Sequence, residues 1–167
     1  AVANGIVYVG TDDGKVYALS AVTGTQVWTY QTGGLVLSSP AVVNGVVYVG
    51  SDDGKVYAFG EQWPMFHHDL AHSGYSTSTA PNTNQTLWKY MTGDCVGSSP
   101  AVVDGRVFVG SYDNKTYCLD AFTGAQIWNF TTGKEVQSSP GISNGVVYVG
   151  SNDDNLYAFN AATGVRE

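Results

Sequence analysis

Short apolar runs of five or six residues recur along the chain, each closed by a polar turn. The run VVYVG at 46–50 carries apolar residues on both sides, as expected of a strand covered on both faces. Asp52-Asp53-Gly54 follows, residues that tolerate positive φ and suit a hairpin turn. A third run, such as KVYAL at 15–19, is joined through a Thr-Gly turn to a fourth, QVWTY at 26–30, and a segment SSPAVV at 38–43 opens the next set. No window places apolar residues at 3.6 spacing, and Gly or Pro interrupts the chain every ten residues or so, which excludes helical repeats of similar period.

These runs belong to an internal repeat. The segment 43–59 nearly copies 3–19, and degenerate copies follow at 103–119 and 143–159. Gly10, Gly50, Gly110 and Gly150 mark one column, Trp28, Trp88 and Trp128 another, and Pro40, Pro100 and Pro140 a third. The unit is 40 residues, with 20 more inserted between Phe59 and Leu87. Four antiparallel strands per 40 residues with an aromatic signature predict an all-β fold, a β-propeller with four blades. The blades are expected at about 1–32, 38–90 with an insert at 61–85, 98–130 and 138–167, forming one domain over 1–167.

The segment CLDAFTGAQIW at 118–128 resembles the tryptophan-docking motif of pyrroloquinoline-quinone-type repeats, A-x-D-x-x-T-G-x-x-x-W. Asp120, Thr123, Gly124 and Trp128 match, with Cys118 at the Ala position. The first copy has Ala18, Thr23, Gly24 and Trp28 with Ser20 in place of Asp; the last has Ala158, Thr163 and Gly164 with Asn160 at that place. The resemblance implies that Trp28, Trp88 and Trp128, with Gly24, Gly124 and Gly164, lock each blade to the next. It also likens the chain to archaeal and bacterial surface propellers and, more loosely, to the propeller lipoprotein of outer-membrane assembly. The insert QWPMFHHDLAHSGYS at 62–76 resembles the opening segment of many such propellers, here in mid-chain. It reads either as a permuted or fused arrangement or as a loop of that ancestry in blade 2.

First strands are expected at about 38–43, 98–103 and 138–143, with residues 1–3 as the tail of another. Residues 165–167 read as the start of a fourth strand, and the stretch matching 128–140 lies outside 1–167. The third strand at 156–159 is therefore expected to present an unpaired edge to another molecule. Either the chain closes as its own four-bladed ring, the favoured expectation, or it is half of an eight-bladed ring completed by a second chain.

Composition narrows the function classes. Charged residues are 13% against 43% hydrophobic, the net charge is −7, and only seven Lys and Arg are present. A nucleic-acid footprint and a basic membrane-surface helix are excluded on that ground, and no apolar run reaches the ~20 residues of a membrane-spanning helix. The chain does not begin with Met and reads as a mature or excised piece.

Candidate chemistry is sparse. His67, His68, Asp69 and His72 form a metal-like cluster suited to zinc, but anchoring of the insert through Trp63 and Phe66 is the favoured reading. The turns Asp12-Asp13-Gly14, Asp52-Asp53-Gly54 and Asp153-Asp154 lack the spacing of a calcium loop. Cys95 and Cys118 are expected to be free thiols, since strands two apart lie ~9–10 Å from each other. Asn84, Asn114 and Asn129 begin glycosylation triplets. No catalytic motif, cofactor or metal is assigned. The expectation is a non-catalytic extracellular or cell-surface propeller that binds protein or itself through the blade-4 edge. The rival is a fragment of a quinone-dependent dehydrogenase or a metal-binding propeller enzyme.

Overall fold

The structure, a computed structural model, describes residues 1–60 and 81–167. Its strands form four antiparallel sheets in chain order, which are four blades of a β-propeller. Blade 1 contains β1 (Val2–Ala3), β2 (Ile6–Gly10), β3 (Lys15–Ser20) and β4 (Gln26–Gln31). Blade 2 contains β5 (Ala41–Val43), β6 (Val46–Ser51), β7 (Lys55–Phe59) and β8 (Thr86–Met91). Blade 3 contains β9 (Ala101–Val103), β10 (Arg106–Ser111), β11 (Lys115–Asp120) and β12 (Gln126–Thr131). Blade 4 contains β13 (Gly141–Ser143), β14 (Val146–Gly150) and β15 (Leu156–Asn160).

Turn chemistry sets these boundaries. Between the first and second strands, Asn44 and Gly45 both take positive φ, 50° and 76°, the twist that a two-residue hairpin needs. Asn4-Gly5, Asp104-Gly105 and Asn144-Gly145 repeat it. The first strands are shorter than the sequence suggested, because Ser-Ser-Pro stays outside the ladder. Proline has no N–H to give, and Ser38 is engaged elsewhere: its Oγ donates to the Gly50 carbonyl and accepts from the Gly50 N–H, both at 2.8 Å.

The apolar residues form three slabs, one between each successive pair of blades. Val47, Val49, Tyr57 and Phe59 of blade 2 meet Tyr8, Val16, Ala18 and Trp28 of blade 1. The pattern recurs between blades 2 and 3 and between blades 3 and 4. This explains why the second and third strands of blades 2 and 3 are apolar on both sides: each of these blades serves two slabs.

Blades 4 and 1 do not bury each other in this way. Tyr148 and Leu156 on the far side of blade 4 are 40% and 73% exposed, and Val9 on the near side of blade 1 is 39% exposed. The equivalents Val49 and Val109 are fully buried. The four blades thus form an open arc, and the expectation of a separately closed four-bladed ring is corrected. The edge of β15 differs from expectation as well. Phe159 bridges Arg166, Asn160 N donates to Val165 O at 2.9 Å, and Glu167 N donates to Ala158 O at 2.9 Å. The chain's own residues 165–167 pair with the end of that strand.

The insert leaves blade 2 at a defined point. Gly60 N donates to Gln85 O at 3.0 Å, just as Asp120 N donates to Ala125 O at 2.8 Å in blade 3. The repeat therefore resumes at Pro81, and the extra residues are 61–80 rather than 61–85.

Candidate docking sites between the blades

Each docking site begins with a row across the sheet. Tyr8, Ala18 and Trp28 stand opposite one another on β2, β3 and β4; Tyr48, Ala58 and Trp88 repeat the row, as do Phe108, Cys118 and Trp128. The small middle residue leaves a trough in which the indole leans on the aromatic ring two strands away. Centroid distances are 5.8, 5.9 and 5.8 Å with tilted planes, a favourable aromatic geometry. A bulge then skips Val27, Leu87 and Ile127 on the fourth strands, and one further pair, such as Leu19 with Gln26, follows it.

The indole reaches the next blade. Trp28 Nε1 donates to Pro81 O at 2.8 Å, Trp88 Nε1 to Ala121 O at 2.9 Å, and Trp128 Nε1 to Ala161 O at 3.0 Å. All three tryptophans are buried. Tyr8 and Tyr48 add their hydroxyls to the same carbonyls at 3.3 and 3.2 Å. The Thr-Gly turn of the receiving blade forms the floor. Gly124 has φ +72°, and a methyl group there would lie 2.6–2.9 Å from the Trp88 ring; Gly164 stands in the same relation to Trp128. Asp120 shapes this turn by accepting from Phe122 N, Thr123 N and Thr123 Oγ1. Ser20 and Asn160 make the equivalent backbone contacts, so the departures from the motif at those positions keep its geometry.

A second contact, absent from the sequence-based reading, clasps the blades on their turn side. The Asp53 carboxylate accepts from Gly33 N of blade 1 at 3.0 Å, from Lys55 N at 3.1 Å and from Tyr57 Oη at 2.5 Å. Asp113 accepts from Gly93 N, Lys115 N and Tyr117 Oη, and Asp153 from Gly133 N, Asn155 N and Tyr157 Oη. The trace in the sequence is a column of Asp with Tyr four residues later and Gly twenty residues earlier. The donors dominate the electrostatics. Burial pushes Asp53 up, but the Tyr57 hydroxyl, Lys55 and the Gly33 N–H outweigh it and hold the carboxyl below its ordinary range. The Tyr157 hydroxyl holds Asp153 down at about 2. Tyr57 and Tyr117 are pushed up by burial and by the carboxylates they face.

The clasped carboxylates of the acidic turns face hydrogen-bond donors, a donor set that does not suit calcium. Among the described residues no group of three or more His, Cys, Asp or Glu could hold a metal. His67, His68, Asp69 and His72, with Trp63 and Phe66, lie outside the described residues. Cys95 and Cys118 are free thiols, the first half-buried and the second buried, where burial pushes its thiol up to about 12. Cys95 donates to Asp52 O at 3.1 Å beside a shallow cavity of about 180 Å³. Asn84 and Asn129 are exposed but use their side-chain amides, on Thr29 O at 2.9 Å and Gln126 Oε1 at 3.0 Å, while Asn114 occupies a turn at φ +68°. The described residues contain no helix long and apolar enough to cross a membrane.

A family model described as outer membrane protein assembly factor BamB matches residues 1–62 and 73–167. None of the curated protein sequences matches the chain. Among solved structures, the chain is similar to BamB from Moraxella catarrhalis at 23% identity and TM-score 0.76, over 97% of this chain and 45% of that one. It is similar to the computationally designed Ika8 protein at 17% identity and TM-score 0.78, over 99% and 46%. It is also similar to quinohemoprotein alcohol dehydrogenase from Comamonas testosteroni at 18% identity and TM-score 0.77, over 100% and 33%. The chain spans a little under half the length of the first two and a third of the last.

Proposed function

The chain belongs to the family of the outer membrane protein assembly factor BamB, a family of PQQ-like repeat β-propellers, and on that premise we propose that it is a non-catalytic, extracytoplasmic propeller that binds protein and acts as a scaffold. The observation that carries this reading is the use made of the repeat's carboxylates. Asp53, Asp113 and Asp153 each accept from a neighbouring blade and from their own tyrosine, so they hold blades together and leave little capacity for acid–base or metal chemistry. The two cysteines are far apart in sequence, and Cys118 is buried with a raised pKa, a poor setting for thiolate or quinone chemistry. The assembly-factor description of the family supports protein binding as the role.

The test sets this reading against the quinoprotein alternative. Purified protein is incubated with pyrroloquinoline quinone and calcium, desalted, scanned for bound chromophore and assayed for dye reduction with primary alcohols. No retained quinone and no alcohol-dependent reduction are expected. One equivalent of quinone with turnover would replace the scaffold reading by a dehydrogenase fragment. In parallel, a labelled extended peptide of alternating apolar and polar residues is expected to bind saturably in fluorescence anisotropy.

A further inference from the structure

The uncovered faces of blades 1 and 4 are the two halves of an interface that the chain already builds three times. The receiving half is Val47, Val49, Tyr57 and Phe59 in blade 2, with the same kinds of residue in blades 3 and 4. Blade 1 presents Val7, Val9, Tyr17 and Leu19 in those positions, half-buried or exposed. The donating half is Tyr48, Val56 and Ala58 in blade 2. Blade 4 presents Tyr148, Leu156 and Ala158 there, the first two exposed.

The polar parts of the interface are also left waiting on blade 1. Gly24 has the same φ as Gly124, +72°, yet nothing lies within 4 Å of where its side chain would be, in the place that Trp88 fills on Gly124. Asp13 stands in the column of Asp53, Asp113 and Asp153. Where those accept a glycine N–H from the preceding blade, Asp13 instead bonds Thr11 and, at 2.6 Å, Lys15.

We propose that a second copy of this chain covers both faces, blade 4 of each copy docking on blade 1 of the other to close a ring of eight blades. Three intramolecular precedents specify what the occupant of each face is: another blade of this repeat, approaching in the same orientation. The arc has the matching curvature, since it superposes over nearly its whole length on less than half of two longer propeller chains, leaving room for one more arc of equal size. The contact joins unlike faces, and two such contacts related by a twofold axis close without a free end. The contact joins separate molecules, so its formation depends on concentration. The inference adds a partner to the scaffold reading but not to its chemistry: retained quinone with turnover would end that reading and leave this one standing.

The experiment is sedimentation equilibrium of the 167-residue chain from low micromolar to submillimolar concentration. A mass rising from 17.7 kDa to twice that value and no further is expected. A monomer at the highest concentration, or growth beyond the dimer, overturns the proposal. Val9→Arg and Leu156→Arg then place one charge on each face, with near-ultraviolet circular dichroism confirming that each variant folds. Each alone is expected to weaken dimerisation more than tenfold. An equimolar mixture is expected to recover a dimer, because it retains one unaltered pair of faces. A dimer lost with only one of the two variants, or a mixture that stays monomeric, shows a contact between like faces or elsewhere and overturns the proposal. Should either variant fail to fold, the mass of the unaltered chain still decides.

Discussion

Gly24 and Gly124 sit in the same turn of the repeat with the same φ, +72°, yet one faces solvent and the other lies beneath an indole. The turn therefore takes its shape from its own hydrogen bonds, Thr23 N donating to Ser20 Oγ in one case and Thr123 N donating to Asp120 Oδ1 in the other, and not from the ring that lands on it. Docking in this protein joins preformed surfaces, which costs little rearrangement. The filled and empty sockets can be driven apart experimentally.

Removing an indole gives the largest effect. Trp128 touches Phe108 and Phe159 on two blades and donates to Ala161 O, so Trp128→Ala is expected to cost about 3–5 kcal/mol in urea unfolding. Leu156→Ala, on the uncovered face, is expected to stay within about 0.5 kcal/mol under dilute conditions. A Trp128→Ala protein that unfolds at the parent's urea concentration would mean that the socket does not hold the blades.

The two glycines give a cleaner pair. Alanine at either position meets the left-handed backbone cost of about 1–2 kcal/mol, but only Gly124→Ala drives a methyl group into Trp88. Gly124→Ala is expected to be worse than Gly24→Ala by about 1–3 kcal/mol, the usual range for overpacking. Equal losses would mean that the ring simply slides aside.

A gain is expected at Thr116. It stands in the column of Val16 and Val56, fully buried, and its hydroxyl has no hydrogen-bond partner among the described residues. Thr116→Val is expected to stabilise blade 3 by roughly 1 kcal/mol, since an unpaired buried hydroxyl is removed at nearly constant volume. A destabilised variant would reveal a bond to water at that site.

The last contrast is in acid. Asp153 is held at about 2, below the ordinary carboxylate value near 4. A depressed folded-state pKa gives stabilisation that is present above the unfolded value and lost as pH falls through the folded one. The clasp between blades 3 and 4 is thus expected to weaken from about pH 4 down to about pH 2, with the Asp153 carboxyl titrating near the lower figure by NMR. Asp153→Asn should flatten that part of the melting-temperature profile. A midpoint near 4 for Asp153 would show the clasp open in solution.

Much of the blade was legible in the chain because its geometry is local. Apolar runs of strand length, Thr-Gly turns and the tryptophan column all lie within one repeat, and the trough formed by Ala18, Ala58 and Cys118 beneath each indole emerged only from the cross-strand register. The Asp53–Gly33 clasp was not legible, because an Asp in a turn is explained by the turn alone and its partner lies twenty residues back in another blade. The first strands were read too long because Ser38 looks like a strand residue until its bond to Gly50 is seen. The opening between blades 4 and 1 could not be read either. A repeat length counts blades, but the rotation from one blade to the next arises from the thickness of the side chains in each slab.

Gly60 and Pro81 are separated by twenty residues, yet they hold the same register as Asp120 and Ala121, which are joined directly. The polypeptide can therefore leave and re-enter blade 2 at one point without disturbing the ladder on either side. Such a point works as a port. Lengthening a flexible connection costs only about 0.6 kcal/mol for each doubling, so cargo can be spliced there while β7 and β8 remain paired. Replacing 61–80 with a fluorescent protein or an epitope would give a tagged propeller.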